Sequence, residues 1–374
     1  MQIIYLIITI FMNLFFLTKS ACGAVDQLLN NNFFQNPAEL NLIKQRQLII
    51  GNVFIAPALK FTGTTVSGSG IVRSKVNDSL PYLLTAYRFT DRFVIGLNIT
   101  PSGYGHLDWP VDSIVAAQST ITRLFYYRIG AQSSYQLTDN LAIGGGFNLH
   151  YNKREELDFV ILNKGNQINK VNGINYSGDV GLYYKLTPRN YLTMMIYTPV
   201  NTFGYGTSSL GPTTVNNFAL NIREAAVAAI GLQHPINNKW FLEEKIYWSG
   251  WSIEKEINFI NTTTGNTTIP AKWRDTWSFQ GITRYVTTDN TALLGAIIYE
   301  TNAAPISTNA IGYPLAAFGS ISAGLDLTLK KALSTQLVYS YGRFLPKAKI
   351  ANALSYGSIS AKTQAGVLQF TYKV

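Results

Sequence analysis

The sequence predicts an all-β fold, a 14-stranded antiparallel transmembrane β-barrel. Three observations carry that prediction. A leader precedes a chain with no disulfide chemistry, the composition is poor in charge and rich in aromatics, and short polar turns alternate with long polar connections between period-two runs.

The leader reads "MQIIYLIITIFMNLFFLTKSACGAV". It is apolar over signal-peptide length and ends in small residues, so residues 1–24 read as a signal peptide cleaved near Ala21 to Ala24. The run is too short to span a bilayer comfortably as a helix, and Asn13 interrupts it. Cys22 is the only cysteine and lies at the cleavage point, so disulfides contribute nothing to the exported fold. A closed hydrogen-bonded barrel in a membrane supplies the missing cohesion.

Composition agrees. Charged residues make up 13% of the chain, against roughly 25% in soluble domains. Tyr and Phe are abundant while mean hydropathy is near neutral, which suits strands with one apolar and one polar face. The net charge of +10 is spread without a long basic run, which disfavours nucleic acid as a partner. It points instead to lipopolysaccharide phosphates or an anionic substrate.

The stretch "FGSISAGLDLTLKKALSTQLVYSYG" shows the alternation most clearly. Ile321, Ala323, Leu325, Leu327 and Leu329 share one parity, and Ser322, Gly324, Asp326, Thr328 and Lys330 the other. After the tight turn at Lys330-Lys331-Ala332, Leu333, Leu337, Tyr339 and Tyr341 resume the apolar face. Similar short turns fall at residues 90–92, 138–140, 187–190, 236–239 and 288–290. Longer connections rich in Gly, Asn and Thr centre near residues 61–71, 101–121, 152–174, 200–221, 250–272, 301–318 and 344–358. Six short turns and seven long loops join fourteen strands, an even number as bacterial outer-membrane barrels have. The last strand, "SAKTQAGVLQFTYKV", carries the aromatic-rich face expected by the barrel assembly machinery.

More specific motifs follow. "FFQNPAEL" stands between leader and first strand, "WSGW" closes the ninth strand, and "KWRDTWSFQGITRYVTTDNTALLGAIIYETNA" spans the next strand pair. In this order they resemble the FadL/TodX (OmpP1) family of outer-membrane transporters for long-chain fatty acids and other hydrophobic compounds. The resemblance covers the chain from about Gly23 to the C-terminus. It implies that residues 25–44 form an N-terminal hatch or plug inside the lumen, and that residues 45–374 form the barrel. Phe33 and Phe34 would fill apolar space in the lumen, and Asn36, Pro37 and Ala38 would supply the family's Asn-Pro-Ala turn. The family's third strand bends inward and opens the wall sideways. Here "NITPSGYG" occupies that place, so Pro101, Gly103 and Gly105 mark the expected lateral opening, being residues that tolerate broken ladder bonds.

Candidate ligand-binding residues come from parity. Arg274 shares parity with Thr276, Ser278 and Gln280 and is expected to point inward, at the basic position of the family's Trp-Lys/Arg-Asp motif. Arg128 shares parity with Gln132 and Ser134 and is expected in the lumen too. Phe159 in "ELDFVILNKG" and Phe203 in "VNTFGYGTSSLG" are candidates for an outer apolar groove, with strand extension above the membrane as the other reading of both stretches.

Enzymatic readings find little support. His106, His150 and His234 lie at no metal-ligand spacing, and no Gly-x-Ser-x-Gly elbow occurs. Glu155-Glu156 and Glu243-Glu244 place neighbours on opposite strand faces. The reading is therefore a monomeric, cofactor-free passive importer of the bacterial outer membrane, with long-chain fatty acid as ligand. An aromatic-hydrocarbon importer of the same family and a surface adhesin or antigen are the alternatives.

Overall fold

The computed structural model describes residues 35–374. The leader and Phe33 and Phe34 lie outside the described residues. A short 3-10 helix, Pro37–Leu42, precedes the barrel. The fourteen strands are β1 (Arg46–Thr65), β2 (Gly68–Lys75, then Asp78–Thr90), β3 (Phe93–Asp108), β4 (Ile121–Thr138) and β5 (Leu141–Ile161). They continue with β6 (Gly165–Thr187), β7 (Asn190–Tyr197, then Val200–Leu210), β8 (Thr213–Glu224, then Val227–Pro235) and β9 (Trp240–Ser249, then Glu256–Thr262). The circuit ends with β10 (Gly265–Pro270, then Thr276–Thr288), β11 (Thr291–Glu300), β12 (Phe318–Lys330), β13 (Leu333–Phe344, then Ala348–Ala351) and β14 (Ser355–Lys373).

Each strand pairs antiparallel with its sequence neighbours, and β14 returns to β1 from Gln47↔Lys373 to Thr65↔Ser355. The sheet therefore closes on itself and, apart from one break between β2 and β3, leaves no open edge of unpaired backbone groups for hydrocarbon to penalise. Outward side chains are apolar, as Leu48, Ile50 and Phe54 on β1 and Leu325, Leu329, Leu337 and Tyr339 on β12 and β13 illustrate. Tyr87, Phe89, Tyr135, Tyr184, Trp240, Tyr285 and Tyr372 stand exposed near the short-turn end, an aromatic rim at one membrane interface. Inward residues are polar at mid-height: Asp179 accepts hydrogen bonds from Gln132 (3.0 Å) and Asn148 (2.9 Å).

All six short turns lie where the residues at 90–92, 138–140, 187–190, 236–239, 288–290 and 330–332 place them. The opposite end differs from its reading as seven long loops. Five of the polar stretches, near 61–71, 152–174, 200–221, 250–272 and 344–358, extend the strands above the membrane and close in tight turns. Gly68, Gly165, Gly211 and Gly265 close the first four of those turns at positive φ, which a Cβ would oppose. True loops remain at 109–120 and 301–317. Polar composition marks exposure to water, and a water-exposed ladder reads like a loop.

Candidate functional site

The N-terminal segment crosses the lumen near the short-turn end. Asn36 caps the 3-10 helix by accepting from the Ala38 N–H (3.1 Å) and donates to the Leu182 carbonyl on β6 (3.0 Å). Ser134 on β4 donates to the Ala38 carbonyl (2.9 Å). Two wall glycines make room for this approach. A Cβ at Gly181 would stand 1.8 Å from Asn36 Oδ1, and one at Gly144 would stand 2.4 Å from the Ala38 nitrogen. Across the lumen, Gln233 Nε2 donates to Glu39 (3.4 Å) and to Glu243 (2.9 Å), and Lys245 pairs with Glu243 (3.0 Å). Glu39, Glu243 and Lys245 are all buried. At the segment's exit Arg88 donates to the carbonyls of Ile43 and Asn41. The segment is thus held from β2, β4, β6, β8 and β9 together.

Above it lie two cavities. The outer one, about 440 Å³, is walled by Ile121, Leu157, Phe159, Ile222, Phe259 and Trp273 among others. The inner one, about 200 Å³, runs from Trp251, Trp273 and Tyr313 down to Gln35 at the start of the luminal segment. Leu124, Ile222, Trp273 and Tyr313 line both, so the two cavities adjoin there. Trp273 stacks on Tyr313 (5.5 Å between centroids) and meets Trp251 edge-on (5.4 Å) at the junction. The inner cavity ends in polar groups. Arg128 lies over the Tyr197 ring (5.2 Å), His150 stands opposite Arg128 in register, and His150 Nε2 shares a hydrogen bond with Ser177 Oγ (2.7 Å). Arg223 and Glu224 complete that end.

The wall is interrupted beside this cavity. The β2–β3 ladder runs from Thr90↔Phe93 to Leu83↔Ile99 and stops. Beyond it, Thr100–Asp108 pairs with β4 alone, with a bulge between Pro101 and Gly103. Proline at 101 has no N–H to give, and Gly103 admits the Tyr126 ring, which would stand 2.6 Å from a Cβ there. The bent end tucks inward, so Tyr104 packs against Leu80, Tyr82 and Leu84 on the luminal face of β2 and stacks on Phe125 (5.5 Å). Asp78 of β2 bridges the break, accepting from Tyr104 Oη and bonding His106 Nδ1, each at 2.7 Å. Ser102 and Gly103 line the inner cavity, whereas Gly105 lines a smaller neighbouring one, with Leu124 at ordinary contact distance.

Parity placed Arg128 in the lumen, and it is there, 7% exposed. Arg274 is a correction. It is exposed and lines neither cavity, while its neighbour Trp273 turns inward. Residues 271–275 leave the ladder, with Lys272 at φ 49°, so parity counted back from Thr276 no longer holds. Phe203 is a second correction: it is 42% exposed on the outer face of β7 and lines neither cavity. Phe159 does line the outer cavity, packed edge-on against Phe259 (6.5 Å). Phe159→Ala is expected to weaken binding of a fluorescent fatty-acid analogue severalfold, and Phe203→Ala to leave it unchanged. Sequence reading missed Ile222, Arg223, Tyr313 and the His150–Ser177 pair. Their inward position depends on strand partners, and only Trp273, inside a quoted motif, offered a signal.

A closed barrel with an apolar girdle, a lumen crossed by its N-terminal segment and adjoining apolar cavities defines an integral membrane channel for hydrophobic compounds. The chain belongs to the family described as outer membrane protein transport protein (OMPP1/FadL/TodX), whose model matches residues 21–374. It is therefore a β-barrel of the outer membrane from a family that transports hydrophobic compounds. Among solved structures it is similar to a Pseudomonas aeruginosa FadL homologue, at 16% identity and a TM-score of 0.81, covering 96% of this chain and 100% of that one. It is also similar to the Pseudomonas putida toluene transporter TodX (16% identity, TM-score 0.73, 94% of each chain). A third is the CymD monoaromatic hydrocarbon channel (17% identity, TM-score 0.71, 94% of this chain and 97% of that one). At these identities the likeness concerns the fold. Among curated proteins none matches by sequence.

Proposed function

We propose that the protein carries long-chain fatty acids passively across the outer membrane. The observation behind this reading is the pair of adjoining cavities, apolar over most of their extent, with the buried Arg128 at the inner end beside His150, Arg223 and Glu224. An acyl chain fits the first part and a carboxylate the second. A sixteen-carbon chain carries on the order of 12 kcal/mol of aversion to water, so a route lined by Leu, Ile and Trp is needed where an aqueous pore would fail. The ligand enters the outer cavity, moves to the inner one, and leaves sideways at the break beside Pro101 and Gly103. The luminal segment with Asn36, Pro37 and Ala38 blocks the straight path and shifts when the inner cavity fills. Electrostatic holding at Arg128 stays modest, because it already lies over Tyr197.

A second reading, an importer of aromatic hydrocarbons, draws on the Trp251, Trp273 and Tyr313 cluster and on the ligands named for TodX and CymD. Uptake of labelled oleate and labelled toluene by cells with and without the gene separates the two. Deletion is expected to lower oleate uptake and leave toluene unchanged. Loss of toluene uptake alone favours the second reading, and no change in either favours a surface antigen. Arg128→Ala is expected to bind oleate about tenfold more weakly while binding methyl oleate as before, as loss of one charge-assisted contact requires.

A further inference from the structure

One face of the barrel is charged in a way that transport does not use. Lys60 on β1, Arg73 and Lys75 on β2, Arg343 and Lys349 on β13 and Lys362 on β14 all lie on outward parity. The ladder sets them side by side: Lys60 faces Arg73, Arg343 faces Lys362, and Ala58 of β1 faces Lys75 on one side and Lys362 on the other. Like charges directly opposite one another cost a sheet stability, so natural sheets offset them. Nothing here does. The four strands carry one carboxylate, Asp78, and its Oδ2 is held by Tyr104 and His106. Asp108 on β3 stands at the edge, its N–H on Ser74 Oγ, and forms no ion pair with the six cations. Several cations elsewhere do have acidic partners, Arg123 and Lys170 in Glu156 and Arg284 in Asp326.

The height of this face identifies what meets it. Below Ala58 the outward residues of β1 are Ala56, Phe54, Asn52, Ile50 and Leu48. Ten residues separate Leu48 from Ala58, about 33 Å of strand and about 25 Å of membrane at a tilt near 40°, the height of a barrel's apolar girdle. The row Arg343, Lys362 and Lys75 therefore stands on the upper rim of the hydrocarbon, with Lys60, Arg73 and Lys349 one or two rows higher. In an outer membrane that level holds the phosphorylated disaccharide of the outer-leaflet glycolipid. Arginine and lysine forks at this depth meet phosphate where little water screens them.

We propose that β13, β14, β1 and β2 form a binding site for the phosphates of lipid A, which supplies the counter-charge the protein lacks. The site is independent of the ligand passage. Barrels purified from outer membranes in mild detergent, analysed by native mass spectrometry, test it with bisphosphorylated lipid A as probe. The wild type is expected to retain at least one lipid A. The pair variants Arg343→Gln/Lys362→Gln and Lys60→Gln/Arg73→Gln are each expected to lower retention about tenfold, and 0.5 M salt to weaken it further. A control replacing Lys330 and Lys331 at the opposite end should keep wild-type retention. All variants must show the heat-modifiable gel shift of the folded barrel, and exposed Gln substitutions leave the core untouched. Equal retention by wild type and both pair variants overturns the proposal. So does equal competition by phosphatidylglycerol, by inorganic phosphate or by lipid A stripped of its phosphates.

Discussion

Lys245→Met is expected to destabilise the barrel's stoppered state more than any other single change. Lys245 is buried and pairs with Glu243 at 3.0 Å, and Gln233 links Glu243 to Glu39 on the luminal segment, which feels the charge of Lys245. Methionine keeps the bulk of the stem and removes the charge. Two buried carboxylates joined through Gln233 then remain without that cation. Breaking a buried pair by deleting one partner costs about 3–5 kcal/mol, because the remaining charge has neither water nor cation. The wall is a closed ladder and cannot relax, whereas the segment is a single short helix held by side chains. The strain should therefore appear as release of the segment. The measurement is the temperature of the heat-modifiable gel shift, expected to fall, together with planar-bilayer conductance, expected to rise. Glu39→Gln in the same background should restore much of both. Unchanged conductance in Lys245→Met would mean that the ion pair does not hold the segment.

Gly144→Val tests the same element by shape. A Cβ at this position lies 2.4 Å from both the Ala38 nitrogen and the Pro37 carbonyl carbon, and neither backbone atom can rotate away. Valine is a favourable strand residue and should leave the ladder of β5 intact. The segment has to move off the wall, losing the Ser134 to Ala38 hydrogen bond and the one Asn36 donates to the Leu182 carbonyl. Conductance and sensitivity of cells to large polar antibiotics are expected to rise severalfold, with the gel shift of the folded barrel retained. Gly145→Val is the matched control, since its Cβ would meet nothing closer than 3.5 Å. Together the two substitutions separate charge from fit as causes of closure.

Much of this fold is readable without coordinates. Thr138-Asp139-Asn140 and Thr288-Asp289-Asn290 are turn chemistry, and the alternation from Ile321 to Leu329 fixes which face meets lipid. Both signals are local: a turn needs its own residues, and parity holds while the ladder is continuous. Arg128 lies in an unbroken stretch and its direction is correctly given. Arg274 lies where residues 271–275 leave the sheet, and there parity fails.

The sequence alone determined strand number, the two faces, the outer-membrane barrel class and the residues of the six short turns, because all depend on neighbours one or two positions away. Only the tertiary structure decided that Trp273 faces inward, that Glu39 meets Gln233 across the lumen, and that the wall breaks above Leu83 and Ile99. Each of these joins residues far apart in the chain, through a register that closure of the barrel imposes on every strand at once. The basic face has the same origin: its six cations lie scattered from residue 60 to residue 362, and the return of β14 to β1 is what sets them side by side.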